Sequence, residues 1–510
     1  MRIFVFVLSL LLPTAAAAQS TYYVAEGGDD GVAGDSTSPW ATLQHAADQV
    51  AAGDTVIVRP GSYVGFQLTT SGTMSSPITF RGEAGAIVNR DNSDTPDGIN
   101  LEGASFIVLD GLEVRDVTRA GIRAVLCEHV TMRNIVADNN GRWGIFTGHC
   151  DDLLLEDNSC SRSGVEHGIY VSNSGDRPVV RRNRLFSNNA NGLHMNGDES
   201  AGGDGIISDA LVEENVIWDN GRGGGSGINC DGVQDSVIRN NLIYGNHASG
   251  ISLYRIDAAQ GARDNLVINN TVVQAADGRW AMNIQAGSTG NRLLNNIFLS
   301  RHSFRGAIDI SPDSVSGLES DYNVVVGRFT NDDGDSVMDL AGWRAMGFGA
   351  NSIEASIDAV FEAPGSDDYH LLAGSPAEDS GTATDAPPTD YEGHPRPSGA
   401  GVDIGADERC PAPCSGGTRD GGPGDPDAGV SPGDDAGVTP GDDAGVIPGT
   451  DGGVRPGPDG AVAGTDAGPG GGGDEGCGCR VGAPGGAHGA WLVFVLGLAL
   501  VRRRGSRAGG

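Results

Sequence analysis

Through the middle of this chain, apolar and polar residues alternate in runs of three to five, each run broken by Asn or Gly. "HGIYVSN" at 167–173 and "NGLHMNG" at 191–197 show the pattern twice over. Alternation with period two predicts short strands, and no window here carries the longer 3.6-residue periodicity that a helix would need. Gly followed by Ile or Leu recurs at Gly98, Gly121, Gly144, Gly168, Gly192, Gly227 and Gly250, and Ala takes the same place at Ala281 and Ala307, with most steps 23 or 24 residues. In phase with it run Asn134, Asn158, Asn183, Asn215, Asn241, Asn270 and Asn296, each after a short apolar run. A repeat of that length, rich in strands and turning at Asn and Gly, predicts a solenoid of three short strands per coil, an all-β right-handed parallel β-helix. The long 192-to-227 step is read as an ordinary coil carrying a loop, "DESAGGDGIISDA".

Pleat geometry then assigns columns. One position past each Gly or Ala stand Ile99, Ile122, Ile145, Ile169, Leu193, Ile228, Ile251, Met282 and Ile308, an inward stack. Two past, facing out, come Asn100, Arg123, Phe146, Tyr170, His194, Asn229, Ser252, Asn283 and Asp309; four past come Ser172, Asn196, Asp231, Tyr254 and Gln285. Aromatic, imidazole, carboxylate and guanidinium groups thus share one outer face, the mixture that a groove gripping a sugar chain needs. Cys127 and Cys150 share an offset six past their glycines, which puts them one rung apart, within disulfide range, and makes them disulfide candidates in an exported protein. Cys410 and Cys414 are candidates to close a small loop, while Cys160 and Cys230 have no evident partner.

Composition narrows the partners. A formal net charge of −34 argues against nucleic acid, since phosphate contacts need clustered basic residues. All 33 basic residues are Arg, so a lysine base is excluded. No Cys/His spacing resembles a transition-metal site, and no cofactor is predicted. Calcium is left open, with Asp198, Asp204 and Asp231 as the residues to watch.

Both ends read as targeting signals. Residues 1–18 form a secretory signal peptide, with Arg2, an apolar run and small residues before the cleavage point. The next segments are 19–97 (an N-terminal cap with a helix from about Trp40 and the first coils), 98–325 (the β-helix core) and 326–409 (a C-terminal cap). From 410 to 476 a Pro/Gly/Asp/Ala-rich stretch with Val430, Val438, Val446 and Val454 eight apart has nothing to bury and predicts a disordered stalk. An apolar segment at 481–501, followed by Arg502, Arg503 and Arg504, predicts a transmembrane helix with its tail on the cytoplasmic side.

The last 34 residues, "GCGCRVGAPGGAHGAWLVFVLGLALVRRRGSRAGG" less its first Gly, resemble the MYXO-CTERM sorting signal of myxobacterial surface proteins. The resemblance implies processing near Cys477 or Cys479 by a sorting machinery, and a protein held at the cell surface or outer membrane or released after processing. "TYYVAEGGDDGVAGDSTSPWATLQHAADQVAAGDTVIVRPGSY" resembles the N-terminal module of secreted bacterial β-helix proteins, polysaccharide lyases among them. "DYHLLAGSPAEDSGT" and "DYEGHPRPSGAGVDIGADE" resemble the C-terminal segment of surface-anchored β-helix proteins.

Two function classes follow. The first is an enzyme on extracellular polysaccharide, lyase- or epimerase-like on uronate, for which a base, a proton donor and a cation to neutralise the carboxylate are required. His194 is the candidate base, Tyr170 the acid and Arg123 or Arg255 the neutraliser, with Asn196 and Asp231 positioning and Asn229 and Tyr254 also against substrate. Asp231 with Asp198 or Glu166 is the candidate carboxylate pair should the reaction be hydrolysis. His167, one residue before its Gly, is expected to stand apart from the site. The second class is a non-catalytic adhesin or glycan-binding module.

Overall fold

The computed structural model describes residues 19–332 and 334–410. The expected signal peptide, nearly all of the stalk, Cys414, Cys477, Cys479 and the 481–501 helix lie outside the described residues. Among the described residues, no helix is long and apolar enough to cross a membrane.

Parallel pairing begins between Thr21–Val24 and Thr55–Val58 and climbs coil by coil into three sheets of 12, 11 and 12 strands, a right-handed β-solenoid. A seven-residue helix, Leu43–Gln49, lies early in the chain, started by Thr42, whose hydroxyl accepts the His45 N–H. Its Leu43, Ala46 and Ala47 are buried. The 11-stranded sheet carries the polar column. Its strands include Ala120–Val125, Trp143–Gly148, Ile169–Ser172, Leu193–Asn196, Ser226–Asp231 and Ser249–Tyr254. Register is the one the repeat implies, Arg123 on Phe146 on Tyr170 on His194 on Asn229 on Ser252. Ile122, Ile145, Ile169 and Leu193 are fully buried behind it.

The recurrent Gly has a steric cause. A β-carbon at Gly168 would sit 2.9 Å from the Gly192 carbonyl oxygen and 2.7 Å from the Asn188 amide nitrogen, closer than carbon can approach. The recurrent Asn is a hydrogen-bond ladder running Asn158, Asn183, Asn215, Asn241, Asn270, Asn296, Asn323, each amide donating to the next carbonyl at 2.9–3.2 Å. Asn134 is not part of it. That residue occupies the left-handed corner (φ 54°) where other coils carry Asp157, Arg182 or Asn240, and Ile135 takes the ladder position, donating its N–H to Asn158. Asn215 accepts from both the backbone N–H and the side chain of Asn183 and donates to the Val180 carbonyl. Asn215→Ala therefore strands buried polar groups, and urea unfolding should show a loss of about 2 kcal/mol.

Cys127 and Cys150 do stand on adjacent rungs, but as free, buried thiols and not as the expected disulfide. Each sulfur leans back onto carbonyls of its own and the preceding coil: Cys127 onto Val125 and Leu101, Cys150 onto Gly148 and Ala124. The two thiols interact with each other, which pushes the Cys150 thiol up and the Cys127 thiol down, but they are not bonded. Cys160 and Cys230 are also free and buried, and Cys410 is in a disulfide.

The C-terminal segment lies along one corner of the solenoid. Asn240, Asn269 and Asn295, all at left-handed corners, donate to the carbonyls of Thr389, of Asp403 and Gly405, and of Thr382.

Candidate functional site

Tyr170 and His194 lie side by side on neighbouring rungs, their rings stacked at 4.8 Å and 7°. The Asn196 amide donates to the Tyr170 oxygen at 3.1 Å and reaches Asp257 Oδ2 at 3.4 Å. On the following rungs the Asn229 amide donates to the Tyr254 oxygen at 2.7 Å, and that hydroxyl lies 3.5 Å from His194 Nε2. Phe146 and Trp143 continue the aromatic surface beyond Tyr170. Burial drives the electrostatics. It pushes the Tyr170 phenol up to about 12 and Tyr254 well above its ordinary value, so both are protonated donors at neutral pH. It pushes His194 down to about 3, because the surrounding rings leave the imidazole little water to solvate a charge.

Several of the expected roles are corrected by the contacts. Both oxygens of Asp231 are occupied: Oδ1 accepts the N–H groups of Ile256 at 2.9 Å and Ala258 at 3.3 Å, and Oδ2 that of Asp257 at 2.8 Å. Asp231 is buried and anchors the loop after Tyr254 instead of facing substrate. That loop is clasped from the other side, since Glu199 N–H donates to the Asp257 carbonyl and Ala259 N–H to that of Gly205, both at 2.9 Å. The carboxylates considered for hydrolysis make local contacts of their own. Glu166 is held by Arg142 and by the Trp143 indole, and Asp198 Oδ1 accepts the Ser200 N–H and hydroxyl.

Arg123 is bonded to Asn100 and Glu102 and lies two rungs from Tyr170, about 10 Å at the spacing of strands, so it is too far away and too well paired to neutralise a substrate there. Arg255 is exposed, beside Tyr254, and forms no ion pair among the described residues. His167 does not stand apart. Its ring is buried and its Nε2 lies 3.0 Å from His194 Nδ1, so that nitrogen of His194 is engaged, while Nε2 has the Tyr254 hydroxyl at 3.5 Å, the far edge of hydrogen-bond reach. Asp257 is the other residue that the sequence did not single out.

Asp198, Asp204 and Asp231 do not gather into a calcium site; Asp204 accepts the Ile206 N–H in its own turn. Groups with metal-ligand spacing occur elsewhere, as His370, Glu392, Asp407 and as Asp390, Glu392, His394. Their atoms are already engaged: Asp390 Oδ1 accepts the N–H groups of Glu392 and His394, Asp407 Oδ2 that of Leu371, and the His370 ring bridges Asp368 and Glu392. Cavities of about 420 and 260 Å³ open among residues 299–358 and take in none of the site residues. The site is a sheet face with the joined loops around 199–205 and 256–259 beside it.

The fold is a right-handed parallel β-helix of the kind seen in pectate lyases. The family described as Pel9A-like, right handed beta helix region matches residues 22–271. Pectate lyase PEL9 of Emericella nidulans is 24% identical over 299 residues, 49% of this chain and 72% of its own length. The uncharacterized protein YwoF of Bacillus subtilis is 27% identical over 336 residues, 56% of this chain and 69% of its own length. The solved structure of pectate lyase Pel9A superposes with a TM-score of 0.54 at 17% identity, covering 78% of this chain and 98% of that one.

Proposed function

We propose that this chain acts on an extracellular, uronate-containing polysaccharide by a lyase- or epimerase-like reaction. What carries the reading is a face crowded with donors, Tyr170, Tyr254, His194 and Arg255, which forms no ion pair among the described residues, set on a sheet long enough for a polymer. Such a face suits the carboxylates and hydroxyls of an acidic glycan. The pectate lyase among its relatives supports the same class.

In an elimination, Arg255 would neutralise the carboxylate beside the C5–H bond. Asp257 would take that proton, the electron pair would form the C4–C5 double bond as C4–O4 breaks, and Tyr170 would give its proton to O4. Asn196, which touches both Tyr170 and Asp257, would hold donor and acceptor in register.

A second reading, a non-catalytic glycan-binding module, is favoured by one observation: both oxygens of Asp231 and Nδ1 of His194 are engaged, leaving Asp257 as the exposed acceptor near Tyr170. Export, attachment at the cell surface through the C-terminal helix, and processing near Cys477 or Cys479 belong to the same proposal and are supported by the sequence at both ends.

Incubation with pectate, alginate and glycosaminoglycans tests the enzyme reading, by the ultraviolet absorbance of an unsaturated uronide and by chain shortening. Activity on one of them, reduced about 100-fold in Tyr170→Phe, is the expected result, of the size usual for a proton donor. Binding with no absorbance rise, no shortening and no epimerised residue in the recovered polymer would leave the module.

A further inference from the structure

The ring of His167 is buried at the corner before Gly168, with its Nδ1 turned toward Asn191. That nitrogen meets two donors, the Asn191 backbone N–H at 3.3 Å and the Asn191 side-chain amide at 3.2 Å. The orientation of the amide is settled by its other end, because Asn191 Oδ1 accepts the Ser226 N–H. A ring nitrogen facing two donors must offer its lone pair, and a neutral imidazole then carries its proton on the other nitrogen. His167 Nε2–H points at His194 Nδ1, 3.0 Å away, which must accept it. His194 in turn carries its own proton on Nε2, facing Tyr254 and the solvent side of the sheet.

The surroundings favour neutral rings. A proton added to His167 Nδ1 would oppose both Asn191 donors, and one added to His194 Nδ1 would oppose His167 Nε2–H. The charged groups packed beside them are Arg142 and Glu166, paired at 2.6 Å, with Glu166 Oε2 also taking the Trp143 indole and lying 3.7 Å from His167 Nε2, beyond hydrogen-bond reach. Tyr170 lies flat on His194 and edge-on to His167, and Tyr254 closes the outer side.

We infer that His167, fixed by Asn191, is a positioning residue that locks His194 as the neutral Nε2–H tautomer, so that His194 presents a hydrogen-bond donor to a substrate oxygen and no lone pair to a substrate C–H bond. Its catalytic meaning rests on the polysaccharide reading. There the Nε2–H would bond the carboxylate oxygen on which charge gathers as the C5–H bond breaks, with no proton transferred, a form of stabilisation typically worth about 10²–10³ in rate. The base expected at His194 is thereby moved elsewhere, and Asp257 is left to take the proton.

The intact chain, labelled with ¹⁵N-histidine, tests this by multiple-bond ¹H–¹⁵N correlation, which separates protonated from bare ring nitrogens. His194 should show a protonated Nε2 and a bare Nδ1 at pH 7, unchanged on titration to pH 5. In His167→Phe the fixed tautomer should be lost, the bare nitrogen no longer being confined to Nδ1, while the burial that the phenyl ring keeps should hold the His194 titration low. His167→Gln, whose amide can still donate to Nδ1, should restore the pattern. A protonated Nδ1 or an imidazolium at His194 in the unaltered chain at pH 7 overturns the inference, even where the variants fail to fold. The readout needs no substrate: the expected tautomer with no polymer attacked removes the polysaccharide reading alone, and cleavage with the opposite tautomer removes this inference alone.

Discussion

Asp231→Ala should lower activity roughly 100-fold on any polymer the unaltered chain attacks and destabilise the fold by about 3–5 kcal/mol. The effect is large because one buried carboxylate serves three backbone N–H groups, those of Ile256, Asp257 and Ala258, and alanine strands all three at about 1–3 kcal/mol each where water cannot replace it. Arg255 and Asp257 ride on that segment, and the opposite loop is joined to it through Glu199 and Ala259. Loss of the anchor lets both charged groups drift, and a misplacement of about 1 Å costs roughly 100-fold in rate. Asp231→Asn keeps the oxygen that serves Ile256 and Ala258 and gives up the one for Asp257, so it should fall between. Urea midpoints and kcat/KM on the same preparations check both effects. Full activity in Asp231→Ala would show that the loop holds its place without the anchor.

The outward column from Asn100 to Asp309 is legible in the sequence because a near-constant repeat plus period-two alternation fixes which residues become neighbours and which way they face. His167 escapes that logic. It precedes the Gly, where the chain turns a corner and alternation no longer tells where a side chain goes; the available signal is the succession Trp143, His167, Asn191 in the column before Gly, three large or polar groups on consecutive rungs. Asp231 has the right place and the wrong role, since its partners are the N–H groups of a loop 25 to 27 residues later whose path no periodicity encodes. Asn134 misleads by a single position: the turn needs a left-handed residue and then a ladder residue, and Asn suits both. The Cys127–Cys150 pair shows that rung spacing brings two thiols together without by itself making a disulfide.

Arg396→Leu should be the most damaging single change in the C-terminal segment, at about 3–5 kcal/mol, the usual cost of leaving one half of a buried ion pair uncompensated. Its guanidinium is fully buried against Glu408 at 3.0 Å and also donates to the carbonyls of Asp403, Gly405 and Ala406. Glu408 in turn accepts the N–H groups of Ser398 and Asp403, so the pair ties together the stretch that Asn240, Asn269 and Asn295 bind to the solenoid. The loss should depend on pH. Burial raises Glu408 to about 7 even with the guanidinium's charge opposing it. A carboxyl raised in the folded state binds its proton more tightly there than in the unfolded chain. Its contribution to stability is thus full below the ordinary glutamate range and is lost as pH rises through about 7. Without Arg396 that upper limit moves higher, so the deficit of the variant should be smaller at pH 5, where Glu408 is protonated, and larger at pH 8. Urea midpoints of both chains across that range measure it. A deficit independent of pH would mean that the three carbonyl contacts, and not the charge of Glu408, are what Arg396 supplies.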